Sequence, residues 1–112
     1  MLKAAPEKRL QMTAKLAWQI YDAERELMEV LREAPEFKEL ELEREKRRYD
    51  RQGEYIKQMA QSLNPETTLQ EARDTLWALT GRDLYRMLVI ERGWSADEYE
   101  QWLARLLTQS IL

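Results

Sequence analysis

Hydrophobic residues recur at steps of three and four along the first third of the chain. This spacing places them on one face of a helix. The residues that follow it are Leu10, Thr13, Ala17, Ile20, Tyr21, Leu27, Met28 and Leu31. The pattern predicts a long amphipathic helix that begins after Pro6 and runs to about Arg32, where Ala34 and Pro35 break it.

A second long helix is predicted from Pro35 to the break at Asn64 and Pro65. Its apolar positions lie near its two ends: Phe37, Leu40, Tyr55, Ile56, Met59, Ala60 and Leu63. Its middle, ELEREKRRYDRQG, alternates basic and acidic residues, and pairs such as Glu43 with Arg47 lie four positions apart. We interpret this run as a solvated helix face rather than as a patch that binds nucleic acid.

Capping residues mark the later helix starts. Thr68 to Glu71 and Ser95 to Glu98 have the form of a capping box, in which hydroxyl and carboxylate satisfy amides of the first turn. Thr80 to Asp83 is a weaker version of the same signal. The helix after Thr68 is predicted to turn four residues inward: Leu69, Ala72, Leu76 and Leu79. Gly93 suits the left-handed residue that closes a helix, so the chain should turn a tight corner there.

The helix before Gly93 is apolar on nearly every side. Its apolar residues are Leu84, Tyr85, Met87, Leu88, Val89 and Ile90. Such a helix must be buried on more than one side, and a short chain has few elements that could cover it. In the last helix a single apolar stripe is predicted: Tyr99, Trp102, Leu103, Leu106 and Leu107.

A second copy of the chain would cover this apolar helix. The last two helices of each subunit would then form a four-helix bundle about a twofold axis. The residues expected at this homodimer interface are Leu84, Met87, Leu88, Trp102, Leu103 and Leu106. The alternative is a monomer in which the helix lies at the centre of its own bundle.

The predicted fold class is all-α, an antiparallel bundle of about five helices that forms a single domain over residues 1–112. The 21 acidic and 18 basic residues give a formal net charge of −3, without the basic excess that nucleic-acid binding uses. There is no apolar leader and no apolar run of membrane-spanning length, so we expect a cytoplasmic protein without a membrane partner.

Composition also argues against catalysis. Cys and His are absent, which removes thiolate nucleophiles, imidazole bases and most zinc sites. Glu41 and Glu45 lie one helical turn apart, but a di-iron bundle pairs such carboxylates with His. We therefore expect no enzyme activity, no metal and no cofactor.

A ligand pocket is the remaining candidate site. Large aromatic and Met side chains line apolar pockets well, and they fill cores equally well. The candidates on the inner faces of the first three helices are Trp18, Tyr21, Tyr55, Met59 and Trp77. If they surround a ligand, it is a small apolar or aromatic molecule.

The segment from Glu71 to Leu107 resembles the C-terminal regulatory domain of TetR-type transcriptional regulators. The likeness lies in an ordered set of short motifs: Trp77-Ala78-Leu79-Thr80, Leu84-Tyr85-Arg86-Met87-Leu88, Glu91-Arg92-Gly93-Trp94-Ser95, and Tyr99 with Trp102 and Leu103. It continues more weakly upstream through Pro35-Glu36, Leu40, Arg47-Arg48 and Thr68-Leu69-Gln70-Glu71-Ala72. The resemblance implies a bacterial domain that binds a small-molecule effector, dimerises through its last two helices and switches a separate helix-turn-helix.

The chain departs from that family at its start. It begins near the first helix of the regulatory domain, so the family's DNA-contacting residues have no counterparts in it, and we expect no direct DNA contact. Two interpretations stay open: a truncated or excised regulatory domain, or a free-standing relative that binds a ligand or a full-length partner without touching DNA. The alternative function is that of a free-standing helical dimerisation or protein-interaction module that binds neither DNA nor a ligand.

Overall fold

The computed structural model describes residues 4–112, and within that range the chain forms five α-helices and no β-strand. The helices are α1 (Ala4–Leu31), α2 (Pro35–Gln58), α3 (Leu69–Leu79), α4 (Arg82–Tyr85) and α5 (Ala96–Ile111). A 3₁₀ turn, Ala60–Ser62, follows α2, and a π-helical segment, Arg86–Glu91, continues α4. The predicted all-α class with about five helices is confirmed.

Several predicted helix ends are where the sequence places them. Pro35 opens α2, a position at which its missing N–H would have had no partner within the helix. The Thr68 hydroxyl accepts a bond from the Glu71 amide, and the Ser95 capping box of α5 is complete. Gly93 has φ of 76°, in the left-handed region that favours glycine.

The predicted cap over residues 80–83 is wrong. Gly81 precedes α4, and no side chain caps that helix. Thr80 instead ends α3 and points into the molecule, where only 3% of it is exposed. Its hydroxyl donates to the Leu76 carbonyl oxygen at 2.6 Å, a bond within its own helix, so it is not available to the next one.

The two long helices form an antiparallel hairpin. Arg9 of α1 donates to Gln58 of α2 at 3.3 Å, and Arg44 of α2 contacts Glu24 of α1 at 2.6 Å. A helix of 28 residues spans about 42 Å at 1.5 Å per residue, which accounts for the longest dimension of the molecule, 44 Å. The first half of α1 also packs against α5, where the Trp18 indole N–H donates to Glu100 at 2.6 Å.

A single core lies where α1, α2, α3 and α5 meet. Its buried hydrophobic residues are Leu10, Ala14, Ala17, Ile56, Met59, Ala72, Leu76, Tyr85, Tyr99, Leu103, Leu107 and Ile111. The Asn64 amide donates to the Ile111 carbonyl oxygen at 2.9 Å, which joins the loop after α2 to the end of α5.

The apolar pattern of α1 covers two faces rather than one. Leu10 and Ala17 are buried, but Ile20 and Leu27 are 45% and 55% exposed. Leu69, predicted to point inward from α3, is also exposed. Spacing of three and four does not separate neighbouring stripes on a long helix, since both fall within the same broad apolar sector.

The segment before Gly93 is better covered by its own chain than the sequence suggests. Tyr85 is buried, Leu88 and Ile90 are half-buried, and Met87 is exposed. The larger exposed apolar residues lie mainly on α1 and α2: Met12, Leu16, Ile20, Leu27, Val30, Leu40 and Leu42. Within residues 4–112, no helix combines the length and apolar character needed to cross a membrane.

Candidate functional site

A groove of about 560 Å³ runs between α1 and α2. Residues of α3 and α4 form its floor, because these elements pack beneath the open hairpin. The lining residues are Thr13, Leu16, Ala17, Ile20, Tyr21, Glu41, Arg44, Glu45, Arg47, Arg48, Arg51, Gln52, Tyr55, Leu76, Thr80 and Arg82. The volume lies within the range of small-molecule sites, roughly 300–1,000 Å³.

A ring of four charged residues lies at the end of the groove nearer the hairpin turn. Arg44 contacts Glu24 at 2.6 Å and Glu41 at 3.7 Å, and Arg82 contacts the same two carboxylates at 3.4 and 2.8 Å. Charges therefore alternate around the ring, and each carboxylate meets two guanidinium groups. The bonds from Arg44 lower the pKa of Glu24, so this carboxylate stays ionised and the ring remains paired at neutral pH.

Thr80 joins three helices beneath the groove. Its hydroxyl accepts bonds from Arg48 at 2.7 Å and from Gln52 at 3.0 Å, and its carbonyl oxygen accepts from the Tyr21 hydroxyl at 2.6 Å. Arg48 also donates to the carbonyl oxygen of Trp77 at 3.1 Å. A buried Thr at the end of α3 thus fixes the positions of α1 and α2 relative to the floor.

Three tyrosines connect the groove to the last helices. Tyr21 lines the groove, its ring lies 5.7 Å from that of Tyr85, and Tyr85 lies 5.5 Å from Tyr99 of α5. The Tyr85 hydroxyl donates to Asp22 at 3.1 Å. Burial is the main cause that raises the pKa of all three phenols, and for Tyr85 burial and the Asp22 carboxylate raise it to about 12.

Alkaline solution should therefore destabilise the fold. A phenol whose folded-state pKa is raised favours folding below its unfolded pKa of about 10, and this contribution is lost as pH rises through the folded value of about 12. We expect the free energy of unfolding to fall between about pH 10 and 12, and to fall less steeply in Tyr85→Phe. Urea unfolding of both proteins at several pH values across this window measures the change in the free energy of unfolding. An equally steep fall in Tyr85→Phe would contradict the contribution assigned to Tyr85.

The groove contains two of the five predicted ligand residues. Tyr21 and Tyr55 line it. Trp18 faces α5 and bonds to Glu100, and Met59 is buried in the core. Trp77 packs beneath Arg48 and against Tyr49, and it does not line the groove. The five candidates therefore divide among the groove, the core and other packing contacts, and their role in ligand binding stays a prediction.

The predicted interface residues also divide into two kinds. Leu84, Leu88, Trp102 and Leu106 are half-buried, and Met87 is exposed. These five side chains keep surface that a second copy could cover. Leu103 has no exposed surface in the single chain. Leu103 therefore belongs to the chain's own core. The sequence predicted one apolar stripe on α5, whereas the helix has two adjacent stripes, one buried and one half-buried.

The charge run in α2 contributes groove residues that the sequence reasoning assigned to solvent. Arg44, Arg48 and Glu45 line the groove and make their contacts within or beneath it. Arg48 pairs with Glu45 three positions back, and Asp50 pairs with Arg73 of α3. The signal that could have found them is the repeat of Arg at positions 44, 48 and 51, which favours one side of α2.

Two further findings concern metal binding and similarity to known proteins. In the part of the chain that the structure describes, no cluster of three or more acidic residues is arranged to hold a metal ion. No protein-family model matches the chain, and no curated protein or solved structure matches it either.

Proposed function

We propose that this chain is the effector-binding and dimerisation domain of a TetR-like transcriptional regulator, with a small apolar or aromatic effector bound between α1 and α2. The observation that carries the proposal is the groove itself. It has the volume of a ligand site, and Tyr21 and Tyr55 present aromatic surface in it. Leu16 and Ile20 add apolar surface on the α1 side.

An effector domain also needs contact between its ligand site and its assembly surface. Tyr21 supplies the first step, because its ring lies against Tyr85 and its hydroxyl holds the end of α3. Tyr85 immediately precedes the π-helical segment Arg86–Glu91. Segments of π-helix are rare, and many of them occur at functional sites. This segment contains two of the predicted interface residues, Met87 and Leu88. A ligand that moves Tyr21 would act on this segment through Tyr85.

The surface formed by the π-helical segment and α5 supports dimerisation. Trp94, in the loop between these two elements, stacks edge to face on Trp102 of α5 with 5.7 Å between ring centroids, and its backbone N–H donates to the Leu88 carbonyl oxygen at 2.9 Å. Met87, Leu88 and Leu106 keep part of their apolar surface exposed beside them. Half-buried apolar side chains on two adjacent elements suit an interface between identical copies.

A charged side chain at this surface should separate the dimer. Met87→Glu places a carboxylate in the proposed apolar contact, and we expect the dimer dissociation constant to rise at least tenfold, which corresponds to about 1.4 kcal/mol. Leu69→Glu is the matched control, since Leu69 is an exposed apolar residue of similar size on α3. Sedimentation velocity over a concentration series measures both. A Met87→Glu dimer as stable as the wild type would remove this surface from the proposal.

Native mass spectrometry of the purified chain tests the two halves of the proposal together. A dimer that retains a defined small-molecule mass supports an effector domain. A dimer that neither retains a small molecule nor binds a panel of apolar and aromatic compounds supports the free-standing dimerisation module instead. A monomer at micromolar concentration contradicts both functions.

A further inference from the structure

The groove is cationic in a chain that is acidic overall. Five arginines and two glutamates line it, whereas the whole chain has a formal net charge of −3. Three of these arginines have carboxylate partners: Arg44 and Arg82 belong to the four-residue ring, and Arg48 binds Glu45. The excess positive charge of the groove is therefore carried by the other two.

Arg47 and Arg51 are those two residues. They lie one helical turn apart on the edge of α2, and both side chains are exposed. Neither has a carboxylate within 4.0 Å among residues 4–112. Two adjacent guanidinium groups without a partner form a good site for a carboxylate, which Arg binds through two parallel hydrogen bonds.

The wall of the groove formed by α1, opposite Arg47 and Arg51, is apolar. The contacts Arg9 with Gln58 and Glu24 with Arg44 set the register of the antiparallel hairpin. In this register Ile20 lies level with Arg47, and Leu16 lies level with Arg51. Both apolar side chains line the groove, and they are 45% and 47% exposed.

The groove thus offers an apolar wall and a cationic wall to one occupant. A neutral aromatic molecule would use the first wall only, and an organic cation would be repelled by the second. An inorganic anion would leave about half of the Leu16 and Ile20 surface in water, which removes the hydrophobic gain. An acid with an alkyl chain satisfies both walls.

We propose that the groove binds a free, single-chain alkyl carboxylate, whose carboxylate lies between Arg47 and Arg51 and whose alkyl chain lies along Leu16 and Ile20. The ring of Tyr55, which is half-buried and also lines the groove, extends the surface available to the chain. This inference rests on the proposed effector-binding function and deepens it, because it assigns the apolar effector a terminal carboxylate.

Isothermal titration with dodecanoate, kept below the concentration at which it aggregates, tests the proposal. Dodecanol supplies the chain without the charge, and acetate supplies the charge without the chain. We expect dodecanoate to bind at least tenfold more tightly than either compound. We also expect its affinity to weaken as ionic strength rises, because exposed ion pairs are screened.

Variants locate the two walls. The double variant Arg47→Gln/Arg51→Gln should weaken dodecanoate binding at least tenfold and leave dodecanol unchanged, while Leu16→Ser/Ile20→Ser should weaken both. All four side chains are substantially exposed, so these variants are expected to fold, and circular dichroism checks it. Arg105→Gln is the matched control, since this exposed arginine of α5 lies outside the groove.

The outcomes separate this inference from the function on which it rests. Equal affinity for dodecanol and dodecanoate, with no effect of the Arg47 and Arg51 variant, overturns the carboxylate assignment but keeps an apolar effector. Binding to anionic lipid vesicles with none to monomeric dodecanoate overturns it in favour of a membrane surface. No binding of any compound, by a chain that is monomeric, overturns the inference and the proposed function together.

Discussion

Leu103→Ala is expected to lower the free energy of unfolding by about 3 kcal/mol, within the range of about 2–5 kcal/mol typical of buried leucines. Leu103 has no exposed surface, and it lies in the stripe of α5 that also contains Tyr99 and Leu107. Removal of its side chain leaves a cavity that helices packed on several sides cannot close, so both transfer energy and packing contacts are lost.

Urea unfolding at fixed chain concentration measures this loss, since concentration changes the apparent stability of any dimer. Leu42→Ala is the control, because Leu42 is 67% exposed and its truncation should change stability by no more than about 0.5 kcal/mol. The opposite result for Leu103→Ala, unchanged unfolding with loss of the dimer, would return Leu103 to the interface that the sequence predicted for it.

Arg48→Ala is expected to lower the free energy of unfolding by about 2 kcal/mol, because one guanidinium group binds three partners. It contacts Glu45 at 2.6 Å, the Thr80 hydroxyl at 2.7 Å and the Trp77 carbonyl oxygen at 3.1 Å. The Trp77 carbonyl oxygen lies at the end of α3, where it has no partner within the helix. Only 13% of the Arg48 side chain is exposed, so water replaces these contacts poorly.

Two neighbouring substitutions sharpen this test. Arg48→Lys keeps the charge but not the planar fork, and we expect an intermediate loss of stability. Arg47→Ala changes the next residue, which is exposed, and should alter stability by no more than about 0.5 kcal/mol. If the Arg47 and Arg48 alanine variants unfold at the same urea concentration, the contacts of Arg48 contribute no more than ordinary surface interactions.

The features that were predictable from the sequence are those that depend on neighbours in the chain. Ser95 with Glu98, Thr68 with Glu71 and the left-handed Gly93 each involve residues within one helical turn. Their hydrogen bonds and backbone angles follow from local chemistry, whatever the rest of the molecule does.

The residues assigned incorrectly depend on contacts between distant parts of the chain. Thr80 has the composition of a cap, but Arg48 and Gln52 of α2 bond to its hydroxyl. Ile20 matches the apolar period of α1, yet no later element covers it and it borders the groove. Period and propensity contain no information about which helix arrives opposite a given position.

The sequence by itself determined the all-helical class, the breaks near Pro35 and Gly93, and the residue types available for a site. Only the tertiary structure decided that α1 and α2 diverge enough to form a groove, with Arg47 and Arg51 facing Leu16 and Ile20 across it. The physical reason is that helix formation is a local equilibrium, whereas the groove exists because contacts between residues far apart in the chain set the spacing of helices that are stable only when packed.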